Sequence, residues 1–168
     1  IVKRSYINLI STRNWPHLSK LIQFSPITDF TRPTHLRMPD NIKELEFINY
    51  DVRKDGETKR RYDPIKYLDP VEFLFKLNNR DSDNDDILII DNGGGVELLI
   101  DKTKRPRYWT SFDDTTIVFD AYDKGVELTL SQSRTQAFGV FNSTWIRADD
   151  YIPEMPSEAF SGYLAEAK

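Results

Sequence analysis

A run of three glycines constrains the fold of this chain more than any other feature of its sequence. The run belongs to Asn92-Gly93-Gly94-Gly95, and the apolar segments 87–90 and 96–100 lie on either side of it. Because glycine adopts positive φ angles without strain, such a connection is typical of a tight turn between two antiparallel strands. The sequence therefore predicts a β-hairpin over 87–100.

Further turn signals divide much of the chain into short strands. Asp55-Gly56 predicts a second hairpin, between a strand at 45–52 and a return strand at 60–67. Other strand-like segments, bounded by proline, glycine or polar residues, are 18–27, 31–38, 107–110, 115–122 and 126–131. The segment 137–147 is apolar enough for a strand but carries glycine and asparagine, so strand and loop both remain open.

Helical patterns occur near both ends of the chain and once between the two hairpins. Apolar residues at spacings of three and four in 2–12 predict the end of an amphipathic helix, which Trp15-Pro16 terminates. Asp69-Pro70 predicts the cap and first residue of a short inserted helix. Ser157 predicts the cap of a final helix near the C-terminus.

The order of these elements predicts the fold class. Regular alternation of strands and helices is absent, which disfavours a parallel sheet. We expect an α+β fold: an antiparallel β-rich domain, either a small sandwich or a sheet with hairpins, with an N-terminal helix end, one short inserted helix and a C-terminal helix. We expect one such domain over 1–168. The first residue is not methionine, so we expect an N-terminal part of the full protein to be missing.

The inventory of reactive residues argues against catalysis. The sequence contains no cysteine, which excludes disulfides, thiolate zinc sites and cysteine nucleophiles. His17 and His35 are the only histidines, and neither belongs to a catalytic motif. The glycine run lacks the Lys-Ser/Thr of a phosphate-binding loop and precedes a strand rather than a helix. We therefore expect no catalytic, cofactor-binding or metal residues, no cofactor and no enzyme activity.

Acidic residues suggest two further sites, both disfavoured. Asp81, Asp83 and Asp85 alternate as in a calcium-binding loop, but the later positions of the motif lack its Gly and Glu, so an exposed polar loop is the preferred interpretation. Asp113 and Asp120 could form the acidic pair of a hydrolase, a third alternative that the sequence supports only by residue type.

Charge is segregated along the chain, although the formal net charge is only −4. An acidic segment, 81–86, separates two basic stretches. Candidate contacts to a subunit, partner or DNA channel in the first stretch are Arg53, Lys54, Lys59, Arg60 and Arg61. Those in the second stretch are Lys102, Lys104, Arg105 and Arg107. Aromatic residues lie among both, so binding of single-stranded nucleic acid is an alternative to charge-complementary protein contacts.

Several segments together carry a resemblance to a known family. They read Trp15-Pro16-His17-Leu18 after a helix, RPTHLRMPD at 32–40, PRYWTSFDD at 106–114 and IPEMP at 152–156 before a helix rich in alanine and aromatic residues. This arrangement resembles the head–tail connector (adaptor) proteins of short-tailed bacteriophages, the group of tail tubular protein A.

The resemblance implies a structural virion protein rather than an enzyme. It implies a homo-oligomeric ring, typically of twelve copies, that lies between the portal protein and the tail nozzle or tail tube protein. The ring would act in head–tail joining and in DNA passage, with non-specific contact to genomic DNA in the channel and none to a membrane. The location would be the head–tail interface of a virion assembled in the host cytoplasm. The alternative is a carbohydrate-binding or host-recognition β-domain of a phage tail, with Trp109 and Trp145 lining a groove.

Overall fold

The structure, a computed structural model, describes residues 2–12, 14–27, 29, 31–54, 56–93, 95–126, 134–148, 150–152 and 155–166. Within these ranges the helices are α1 (Val2–Ser11), α2 (Pro70–Asn78) and α3 (Ser157–Glu166), with a 3₁₀ turn at Pro16–Leu18. The strands are β1 (Ser19–Ile22), β2 (Ser25–Pro26), β3 (His35–Arg37), β4 (Ile42–Asp51), β5 (Tyr62–Tyr67), β6 (Ile87–Asp91), β7 (Glu97–Asp101), β8 (Tyr108–Thr110), β9 (Thr116–Phe119) and β10 (Thr135–Phe141).

The chain forms two compact units. Unit 1 consists of Ile1–Leu21, Asn41–Glu46 and Phe138–Lys168, and unit 2 consists of Ile22–Asp40 and Phe47–Ala137. In unit 1, β10 lies between β1 and β4. In unit 2 the strand order is β4-β5-β8-β9-β3-β2, with β6 and β7 as a separate two-stranded sheet. The predicted α+β fold with its antiparallel-rich sheet is confirmed.

The register in unit 2 is antiparallel with one exception. Strands β4 and β5, β8 and β9, β9 and β3, β3 and β2, and β6 and β7 all pair antiparallel. Strand β5 pairs parallel with β8, through Lys66 opposite Tyr108 and Tyr67 opposite Trp109. A parallel neighbour requires a long crossover, and the chain makes it through α2 and the β6–β7 hairpin.

Helix α2 forms as its sequence predicts. The Asp69 side chain accepts a hydrogen bond from the backbone N–H of Val71 at 2.9 Å, and Pro70 occupies the first turn. Phe73 and Leu77, one turn apart, are fully buried, and α2 packs on β7 and β8. The core of unit 2 therefore includes one face of this helix, and its other face stays in solvent.

Unit 1 has its own core, built on aromatic side chains. Tyr6 and Ile10 of α1 pack with Trp15, Val140 and Tyr163, so one side of α1 meets α3 and β10. The Tyr6 hydroxyl forms a hydrogen bond with the Ser143 hydroxyl. The apolar spacing that predicts an amphipathic helix in 2–12 is thus confirmed by burial of these side chains.

Both predicted hairpins are confirmed. In the first, Ile48 to Asp51 pair with Ile65 to Tyr62, and the connecting loop 52–61 includes Gly56 at φ +84°; Asp55 lies outside the described residues. In the second, all five residues of β6 pair with β7, and the N–H of Asn92 bonds the carbonyl of Val96 at 2.9 Å.

Some boundaries differ from the prediction. The open segment 137–147 is strand only up to Phe141, as part of β10. Ser157 is the first residue of α3 rather than the residue before it. The strand predicted at 126–131 lies almost wholly outside the described residues, which stop at 126 and resume at 134.

Candidate functional site

The second basic stretch lies at an open depression of about 450 Å³ in unit 2. The stretch belongs to the connection between β7 and β8, and residues of the last turn of α2 and just after it also line the depression. The depression brings together the basic side chains of Lys76, Arg80, Lys104, Arg105 and Arg107. Sequence reasoning found the last three of these and missed the two from the α2 side, which are distant along the chain.

Asp120 fixes the backbone of this depression. Its side chain is almost fully buried, and its Oδ1 accepts the backbone N–H groups of Arg107 and Tyr108, each at 2.9 Å. Its Oδ2 lies 3.1 Å from Nη2 of Arg80. Nη1 of Arg80 donates to the carbonyls of Leu99 at 2.7 Å and Asp120 at 2.6 Å. One carboxylate and one guanidinium thus tie α2, β7 and the start of β8 together.

Two further cations at the depression are neutralised by nearby carboxylates. Nζ of Lys104 lies 2.7 Å from Oδ2 of Asp101, and Arg105 forms an ion pair with Asp63 of β5. Burial alone would raise the pKa of Asp101, but hydrogen bonds from Lys104 and Thr103 outweigh burial and hold that pKa below its usual value. Lys104 and Arg105 therefore serve mainly to hold the connection between β7 and β8.

Two of the five cations that line the depression have no carboxylate partner in the described part of the chain. Nζ of Lys76 lies 4.3 Å from the centre of the Tyr108 ring, a cation–π contact. Arg107 is exposed, and its guanidinium forms no ion pair or side-chain hydrogen bond within the described ranges. Lys102, from the same stretch, is half-buried, and its backbone N–H bonds the carbonyl of Asp86.

The first basic stretch lies in the β4–β5 loop and is anchored at its base. Oδ1 of the buried Asp51 accepts the N–H groups of Arg53 and Arg61, and Nε of Arg53 lies 3.0 Å from Oδ2 of Asp51. Arg134 donates to the carbonyls of Asp51 and Arg53. The remaining basic side chains of the loop are exposed: Lys54, Lys59, Arg60 and Arg61.

The acidic segment forms exposed turns. Oδ1 of Asp81 accepts the N–H of Asp83, and Oδ1 of Asn84 accepts the N–H of Asp86. These oxygens face their own backbone rather than a common centre. Among the described residues, no group of three or more acidic or histidine side chains could hold a metal ion.

Asp113 and Asp120, the acidic pair of the hydrolase alternative, both form hydrogen bonds with backbone N–H groups. Asp113 is exposed, and its Oδ1 accepts the N–H groups of Thr115 at 2.9 Å and Thr116 at 2.7 Å. Burial alone would raise its pKa, but these hydrogen bonds outweigh burial and lower it. Asp120 is buried and bonded as described above. Both carboxylates therefore hold loop backbone.

The carbohydrate-binding alternative predicts that two tryptophans, Trp109 and Trp145, line a groove, and this prediction is wrong for Trp109. Trp109 is only 7% exposed and packs against Tyr67, with ring centres 4.9 Å apart. Trp145 is half-buried and belongs to unit 1, where its ring lies 5.3 Å from those of Tyr6 and Tyr151. Trp109 offers no open face on which a sugar ring could stack.

The two histidines have different environments. His35 of β3 is buried, and its Nε2 lies 3.0 Å from Oδ1 of Asn92 at the tip of the β6–β7 hairpin. Burial lowers the pKa of His35, and the Asn92 hydrogen bond offsets part of that effect. His17 is half-buried beside a shallow depression that Lys20 also lines.

Comparison with known proteins adds no assignment. No protein-family model matches the chain, and no curated protein sequence matches it. None of the described helices is long and apolar enough to cross a membrane.

Proposed function

We propose that this chain is a structural subunit of the head–tail connector of a short-tailed bacteriophage. In this proposal, copies of the chain form a ring between portal and tail and surround part of the DNA passage. The support from sequence is the set of segments 15–18, 32–40, 106–114 and 152–156, which resemble that family.

The folded positions of these segments suit a structural role. Trp15 packs in the core of unit 1. The segments 32–40 and 106–114 contain β3 and β8, and both strands pair with β9 in unit 2. The described residues of these three segments therefore contribute to the fold. A protein that acts by assembly needs such a framework and a surface for its partners.

The observation that carries the proposal is an apolar face of α2 in solvent. Val71 is 75% exposed and Phe75 is 70% exposed, and the two are one turn apart. They occupy the side of the helix away from the buried Phe73 and Leu77. Adjacent large apolar side chains in solvent are typical of a protein–protein contact. We propose that a neighbouring subunit covers this face in the ring.

Charge supplies the second support. The exposed basic side chains of the β4–β5 loop include Lys59 and Arg60, and the segment 81–86 presents exposed carboxylates. Opposite charges on one chain favour contacts between copies, and the basic loop also fits an acidic surface on the portal, the tail or DNA. These contacts orient partners and accelerate their encounter more than they add affinity.

The test is the assembly state of the full-length protein. We expect sedimentation velocity and electron microscopy to detect rings, either of the protein alone or in complex with a portal protein. Phe75→Glu should abolish the rings without changing the circular dichroism spectrum. Gln136→Glu adds the same charge at an exposed polar position of β10, on a different element, and should leave the rings intact.

Three outcomes would count against the proposal. A full-length protein that stays monomeric with and without portal is not a connector subunit. Rings that form equally well with Phe75→Glu would reject the α2 face as the contact. Saturable binding to a glycan array by the monomer would favour the carbohydrate-binding alternative instead.

A further inference from the structure

We propose that the depression between α2 and the β7–β8 connection is a binding site for a small phosphate-bearing ligand, held by Arg107 and Lys76. This inference does not depend on a role in a phage connector. It follows from the charges that remain at the depression once the internal ion pairs are counted.

The lining carries an excess of positive charge. It contains the five basic side chains named above and three carboxylates, those of Asp81, Asp101 and Asp120. Asp63 of β5 neutralises Arg105 from outside the lining, so five positive and four negative charges leave a net charge of +1. Arg80, Lys104 and Arg105 are bound to carboxylates. Lys76 and Arg107 are the two cations left without one in the described part of the chain.

Both cations line the same depression. Asp120 fixes the backbone of Arg107 and Tyr108 through their N–H groups, and Lys76 lies over the ring of Tyr108. The guanidinium of Arg107 provides a planar pair of donors, and the ammonium of Lys76 provides a compact charge. The backbone of Arg107 is fixed by a buried carboxylate and that of Lys76 by α2, so only the side chains need further ordering when an anion binds.

The size and the charge of the site select the ligand. A volume of about 450 Å³ holds a phosphate group together with part of the molecule that carries it. A phosphate monoester carries about −1.5 to −2 charges at pH 7, which matches two unpaired cations better than a single carboxylate does.

The rim of the depression argues against an extended polyanion. Asp81 lines the depression, and Asp83, Asp85 and Asp86 follow it as exposed residues of the same segment. A nucleic acid that crossed the depression would bring a row of phosphates near these carboxylates, within the roughly 8 Å over which charges interact at physiological ionic strength. A compact ligand reaches Arg107 and Lys76 without that repulsion.

The test is a nuclear magnetic resonance titration of the full chain at low ionic strength. Inorganic phosphate and glucose 6-phosphate are the probes, with acetate and a short single-stranded oligonucleotide as comparisons. We expect saturable shifts of the Arg107 Nε–Hε signal and of the Tyr108 amide with both phosphate probes. Tighter binding of glucose 6-phosphate would identify a phosphorylated small molecule as the ligand, and equal binding would identify free phosphate.

Variants separate the site from general surface charge. Arg107→Gln should weaken phosphate binding by about tenfold or more, because it removes charge-assisted hydrogen bonds. Lys76→Gln should weaken it by a smaller factor. Lys124→Gln removes an exposed cation that does not line the depression and should have no effect. Thermal unfolding checks that each variant stays folded.

Four results would overturn the proposal. The first is the absence of saturable shifts, and the second is an equal loss of binding with Lys124→Gln. The third is an oligonucleotide that binds at Arg107 more tightly than either phosphate probe, which would assign the depression to nucleic acid. The fourth is acetate that binds as tightly as phosphate, because the site would then show no preference for a phosphate group over a single carboxylate.

Discussion

Asp120→Ala tests the central structural claim about the depression. Asp120 is 4% exposed, and its side chain accepts three hydrogen bonds, two from backbone N–H groups and one from Arg80. Its removal leaves the N–H groups of Arg107 and Tyr108 without their acceptor, at a cost of about 1–3 kcal/mol for each buried donor. Breaking a buried ion pair from one side costs about 3–5 kcal/mol.

The expected loss of stability lies near the lower end of these ranges. Arg80 retains two carbonyl acceptors, and its side chain is 18% exposed, so water reaches part of the guanidinium. We therefore expect Asp120→Ala to lower the free energy of unfolding by about 5 kcal/mol, about 1 for each N–H group and about 3 for the ion pair. Asp120→Asn keeps an oxygen for the two N–H groups and loses the charge, so about 2 kcal/mol is expected.

The assay is urea unfolding followed by circular dichroism, with Asp85→Ala as the matched control. Asp85 is exposed, and its carboxylate has no partner in the described residues, so its removal should change stability by less than about 0.5 kcal/mol. The urea dependence of the free energy should stay constant across the series. If Asp120→Ala and Asp85→Ala agree within about 0.5 kcal/mol, Asp120 does not hold this part of the fold.

Two other predictions concern single side chains. Phe73→Ala removes a fully buried ring and should lower the free energy of unfolding by about 3–5 kcal/mol. Phe75→Ala, on the exposed face of α2, should lower it by less than about 0.5 kcal/mol in thermal unfolding of the monomer. Equal losses would contradict the assignment of Phe73 to the buried face and Phe75 to the exposed face. The pKa of His35 in the folded protein lies below its ordinary value of 6.5, so the unfolded chain binds the proton more readily. The free energy of unfolding should therefore fall as the pH drops below 6.5, and the fall should end once the pH has passed the folded-state pKa. The slope is at most about 1.4 kcal/mol per pH unit. His35→Gln should remove this part of the pH dependence in urea titrations, and an unchanged profile would show that another group causes it.

The elements predicted well are those whose signals are local. Asp69-Pro70 caps α2 because a side-chain acceptor and a residue without N–H suit the first turn of any helix. Gly93 and Gly95 form the second hairpin because their φ angles of +97° and +81° are strained for other residues. The confirmed α+β class follows from such signals, since they determine where strands and helices begin and end.

The order of the strands could not be predicted in this way. The pairing of β3 with β9, and the parallel pairing of β5 with β8, join segments more than 40 residues apart in the chain. Such pairings depend on which apolar faces pack together, and the sequence of a single strand does not specify its partner strand. The three-residue length of β3 within the predicted strand 31–38 has the same origin, because a strand extends only as far as its neighbour pairs with it.

The candidate site was predicted in part. The stretch that contains Arg107 was found from its charge, but Lys76 and Arg80 reach the depression from a helix that the sequence treats as a separate element. The sequence suggests Asp120 only as one member of a hydrolase-like acidic pair. Its sequence context held the better indication, since it is the single carboxylate in the apolar run 117–122. A lone acidic residue in a buried strand requires an internal partner, and here the partner is Arg80.

Basic residues clustered in sequence need not all be available to a partner. Arg53, Lys104 and Arg105 are ion-paired within unit 2, and each pair joins a loop to a strand or closes a turn. A carboxylate or phosphate from outside would have to displace an existing partner to bind them. Arg107 carries no such cost, and the same holds for the exposed Arg60, whose side chain has no ion pair in the described ranges. Substitution of Arg105 should therefore reduce stability, whereas substitution of Arg107 should reduce binding and leave the fold unchanged.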